Sequence, residues 1–80
     1  MKNFTIKANG TADNKSKFFA EGANGKLLAT ICPRQNQSGS YSDRFMNVCF
    51  MDGSVEIADR EGGEHETEHA ADLIAAKLFS

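Results

Sequence analysis

His65-Glu66-Thr67-Glu68-His69 is the one stretch whose residue types and spacing offer metal chemistry. On a helix, side chains four positions apart share a face, so two such imidazoles can hold one Zn²⁺. Glu66 would then stand beside a metal-bound water as its general base. A catalytic zinc also needs a third protein ligand and an open position. The two Cys and the remaining acidic residues offer no spacing that supplies one. The segment follows Gly62-Gly63 closely, so it falls at a helix entrance. There the carboxylates of Glu64, Glu66 and Glu68 gain from the positive end of the helix dipole. The five residues read first as an acidic, solvated helix start. His65 and His69 are weak metal candidates, and no cofactor is expected.

Over these five residues the chain resembles the helix of the zinc metalloproteases. That resemblance implies His65 and His69 as ligands and Glu66 as base. The sequence departs from it at Glu68, where the family carries an apolar or small residue. The acids offer a second chemistry. Asp59, Glu61, Glu64, Glu66, Glu68 and Asp72 crowd into a short stretch. Clustered carboxylates steer a chain toward a basic partner surface.

The elements that must position these groups are strands. Phe4, Ile6 and Ala8 alternate with Thr5 and Lys7, as in a half-buried strand. Asn24-Gly25 and Asp52-Gly53 lie between strand-like runs, and such pairs favour two-residue type I′ turns. Centring a hairpin from about Lys17 to Cys32 on Asn24-Gly25 pairs Gly22 with Leu27, Ala20 with Ala29 and Phe18 with Ile31. Centring a second, from about Arg44 to Asp59, on Asp52-Gly53 pairs Phe50 with Val55 and Val48 with Ile57. Pro33 ends a strand, since it cannot donate to a ladder, and residues 33–43 read as a long polar loop. A helix is expected from about Glu66 to Leu78, with an apolar stripe of Ala71, Ile74, Ala75 and Leu78.

The expected fold is α+β, an antiparallel sheet of four to five strands with one C-terminal helix on one face. The expected core is Phe4, Ile6, Phe18, Ala20, Leu27, Ala29, Ile31, Met46, Val48, Phe50, Val55, Ile57, Ala71, Ile74 and Leu78. One helix covers one face of a sheet. Phe19, Leu28, Cys32, Phe45, Cys49 and Met51 then lie on the other, more apolar surface than scattered exposure explains. Either the polar loop and N-terminal segment cover it, or a partner or second copy does.

The chain has 80 residues and a net charge of −2. That length makes a single domain with little room for a deep cleft. No apolar run reaches the roughly 20 residues of a membrane span, and no signal core is present at the start. A cytoplasmic protein with free Cys32 and Cys49 is expected. Residues 1–44 carry +4 and residues 45–80 carry −6, which suggests one basic and one acidic region.

Short length, mild acidity and a small sheet with one helix make the chain similar to the anti-CRISPR proteins of phages and mobile elements. The resemblance implies a non-enzymatic inhibitor in the host cytoplasm. Such a protein blocks a nucleic-acid-guided defence complex by occupying a basic site that the nucleic acid needs. The residues expected to contact that partner are Glu64, Glu66, Glu68 and Asp72 by charge, and Phe19, Phe45 and Met51 by apolar contact. Strands followed by a C-terminal helix also resemble the three-stranded DNA-binding domains of integrase arms. In that alternative Lys7, Lys15, Lys17, Lys26, Arg34 and Arg44 meet phosphates, and Phe19 or Tyr41 stacks on bases.

Overall fold

The computed structural model describes residues 3–8, 17–63 and 65–80. Five strands precede one helix: β1 (Phe4–Ala8), β2 (Phe18–Gly22), β3 (Leu27–Gln35), β4 (Tyr41–Phe50), β5 (Val55–Asp59) and α1 (Glu68–Leu78). The strands pair in chain order, each antiparallel to the next. The fold is the expected α+β sheet with a C-terminal helix.

All three connections from β2 to β5 use the same turn. Gly25 N–H donates to the Gly22 carbonyl at 3.0 Å, while Gly22 N–H donates to the Lys26 carbonyl at 2.8 Å. Gly53 and Gly39 repeat this with Phe50 and Ser54, and with Asn36 and Ser40. The glycines have φ of 80°, 91° and 90°. Each connection is therefore a three-residue loop ending on a left-handed glycine, not the expected two-residue turn. Asn24 and Asp52 assist by accepting the N–H two residues on, from Lys26 at 3.2 Å and Ser54 at 2.9 Å.

That extra loop residue moves the register by one. In the first hairpin a bulge at Ala20/Glu21 absorbs it, so Phe18↔Ile31 and Ala20↔Ala29 pair as expected and only Gly22↔Leu27 is lost, with Glu21 opposite Leu27. No bulge absorbs it in the second hairpin. Cys49 faces Val55, Val48 faces Glu56, Asn47 faces Ile57 and Met46 faces Ala58. A one-residue slip turns every side chain over. Val55 and Ile57, expected in the core, are 54% and 47% exposed, and Ala58 is buried in their place.

The third hairpin replaces the expected long loop. β3 runs through Pro33 to Gln35, with an irregular register between those residues, where a missing N–H is tolerated. Ser42 accepts from the N–H groups of Arg44 and Phe45 within the stretch of β4 that faces this irregularity. Residues 34–41 are all exposed and extend the β3–β4 pair beyond its neighbours.

The core lies between the sheet and α1. It comprises Phe4, Ala20, Ala29, Ile31, Met46, Val48, Phe50, Ala58, Ala70, Ala71 and Ile74, with Ile6, Phe18, Leu28, Leu73 and Ala75 packed against it. Strict alternation misplaces two residues beside the first turn: Leu28 packs against the core, while Leu27 is exposed. Leu78 is exposed too, one turn beyond the buried Ile74. The Phe4 and Phe79 rings stack with centroids 5.5 Å apart, tying β1 to the end of α1.

Candidate functional site

α1 starts at Glu68, two residues later than the spacing predicts. His65 is exposed ahead of it, so the two imidazoles do not share a helical face. His69 already has a structural task. Its Nδ1 accepts the backbone N–H of Asp59 at 2.9 Å, pinning the first turn of α1 to the end of β5. Among the described residues no group of three or more His, Cys, Asp or Glu is placed to hold a metal ion.

The acidic residues disperse. Glu64 lies outside the described residues. Glu66 turns inward to a guanidinium, 2.5 Å from Arg60, and also meets the Lys17 ammonium at 3.5 Å. Glu68 and Asp72 rim a groove of about 340 Å³ together with His65, above a floor of Phe4, Ile6 and Ala71. The charge halves interleave instead of separating. Lys17 reaches Glu66, and Arg44 reaches Asp59 at 2.9 Å and Glu61 at 3.8 Å. Lys7 pairs with Glu21 within its own half. Three of the cations expected to meet phosphates are thus held in ion pairs, and Lys15 lies outside the described residues.

Arg44 grips Asp59 with two N–H donors, at 3.1 and 2.9 Å. These bonds, joined by the Glu61 N–H, hold the Asp59 carboxyl below the usual carboxylate range. A carboxyl lowered in the folded state adds stability above its unfolded value of about 4, lost as pH falls through the lower folded value. The expected result is a denaturation midpoint that is level near neutrality and drops below about pH 4, with a shallower drop in Asp59→Asn. An unchanged acid limb in that variant would show that the pair adds nothing to stability.

The apolar residues tell more. Phe19, Cys32, Phe45 and Cys49 do lie on the sheet face away from α1, and the slipped register adds Val55 and Ile57 to them. Phe45 is 39% exposed, with the Arg44 guanidinium 5.2 Å above its ring. Met51, 65% exposed, instead sits in the β4–β5 turn, beside a groove shared with Leu27 and Leu78. The segment expected to cover the outer face is the projecting third hairpin, and β1 lies within the sheet itself. No described element covers that face.

Cys32 and Cys49 sit diagonally on β3 and β4 near its middle. Both are free thiols, and the Cys32 thiol is pushed up by burial and then by its neighbour Cys49. Val55 and Ile57 were the contributors that alternation missed. Their signal was the length of the turn, because Asp-Gly also serves a three-residue loop, with the glycine in its left-handed position.

No family model, curated protein or solved structure matches the chain.

Proposed function

We propose that the chain is a small non-enzymatic protein-binding module that recognises its partner through the outer face of its sheet. One observation carries this reading. Phe45, Val55 and Ile57, each exposed by more than a third, share that face with Phe19, Cys32 and Cys49. Contiguous apolar surface of this kind marks an interaction site. The implied inhibitor role, against a host complex with a basic surface, draws support only from the groups left at the surface, such as Asp72, since Glu61 already meets Arg44. Glu66 is already engaged by Arg60 and Lys17.

The test is capture of partners from a nuclease-treated lysate by the wild-type chain and by Phe45→Glu/Ile57→Lys. Retention of a stoichiometric protein by the wild type and its loss, at least about 30-fold, in the variant is expected. Equal retention would move the binding surface to α1 and its acidic groove.

A further inference from the structure

We infer that the occupant of the outer sheet face is a second copy of this chain, packed face to face as a two-fold symmetric sandwich of two sheets. The inference rests on the reading of that face as the binding surface and names what binds there.

A two-fold interface places a patch against itself, so any net charge on the patch repels itself. The middle of this face has none to repel, and its charges, with Glu61 beside Arg44 and Arg34 beyond Cys32, stand at the margins. At the β1–β2 margin Lys7 is paired with Glu21, and at the β5 margin Arg44 is paired with Asp59. Between the margins lie Thr30, Cys32, Asn47 and Cys49, all uncharged and small or of medium size. A strongly basic or acidic partner gains little from the middle of such a face, whereas an identical copy meets it there with no net charge to repel. The shape agrees. Twisted antiparallel sheets pack face to face about 10 Å apart at a small angle, and low side chains at the centre permit that approach. The molecule measures 37 × 25 × 23 Å. Its two longest dimensions span the roughly 800 Å² per partner of a standard stable interface only when the projecting third hairpin takes part in the contact.

The slipped register is what makes the face continuous. With the two-residue turn, Val55 and Ile57 would sit under α1, and β5 would offer Glu56 and Ala58 to the outside. With the three-residue loop, β5 adds two β-branched apolar side chains beside Cys49 and Asn47.

The experiment is sedimentation of the full chain across a concentration series. A dimer with a midpoint of micromolar order is expected. Ile57→Lys should weaken it at least about 30-fold while circular dichroism and the melting profile stay those of a folded chain. Phe45→Glu is the second variant, on another strand, should Ile57→Lys fail to fold. In a Cys32→Ser background, a thiol-reactive cross-linker of short span should join Cys49 of one protomer to the same residue of its partner, and not when either variant is added. A chain that stays monomeric up to about 500 µM overturns the inference. So does a dimer that neither variant weakens, since it would be built elsewhere. In both of those cases, loss of lysate capture in the double variant would still support the binding-surface reading by itself.

Discussion

Ile31→Ala should leave the domain largely unfolded at ambient temperature. Ile31 is fully buried on the central strand, opposite Phe18 on one side and Val48 on the other. Truncating a buried isoleucine removes its transfer free energy and leaves a cavity, together about 2–5 kcal/mol. A core in a chain this short supplies only about 3–5 kcal/mol in total. The neighbours cannot collapse into the gap easily, because β2 and β4 are hydrogen-bonded to β3 on both sides. Urea denaturation with a circular dichroism readout measures the loss. A cost under about 1 kcal/mol would mean that the core is not centred on β3.

The second large effect discriminates the register. Ala58→Leu should cost about 1–3 kcal/mol, and Ile57→Ala less than about 1 kcal/mol, when both are measured at dilution. Ala58 is fully buried on the strand that α1 packs against most closely. A leucine there would force α1 outward or off its rotamers. Ile57 faces the other way and is half exposed, so its truncation removes little buried area. Alternation read from a two-residue turn predicts the opposite order. A larger loss from Ile57→Ala than from Ala58→Leu would restore that register and remove β5 from the outer face.

Much of the fold was legible because local signals agreed with one another. Gly25 and Gly53 announce their turns, and Phe18, Ala20, Ala29 and Ile31 alternate cleanly enough to pair without a template. The bulge at Ala20/Glu21 keeps that pairing although the loop is one residue longer than a type I′ turn. In β5 the alternation Val55-Glu56-Ile57-Ala58 is equally clean, and it led to the wrong face. Alternation states that two faces differ, and the turn length decides which is which. Ala58 was invisible for a further reason: an alanine signals burial only once the helix above it is known. The third hairpin hid because Gln35, Asn36, Tyr41 and Ser42 are polar on both faces, leaving only Ser38-Gly39 as a marker. Of the candidate site, Phe19 and Phe45 were legible as outward-facing residues. The dispersal of the acids was not, because it depends on where Arg60 and Lys17 end up in space. His69 was legible as a polar residue on α1, but its bond to the Asp59 N–H belongs to the tertiary fold alone.

The strands pair strictly with their chain neighbours, and the helix comes after all of them. Each hairpin from β2 to β5 can therefore close over a short loop without waiting for a distant segment, which favours rapid assembly. During synthesis, however, the sheet emerges before the element that shields it. Until α1 has left the ribosome, the surface holding Ile31, Met46 and Val48 is as open as the one holding Phe45 and Ile57. The nascent chain is thus apolar on both sides for as long as it takes to make some twenty further residues, on the order of a second. Chaperone demand should be concentrated in that interval, and a translational pause that holds α1 in the exit tunnel while the strands are outside should lower the yield of folded protein.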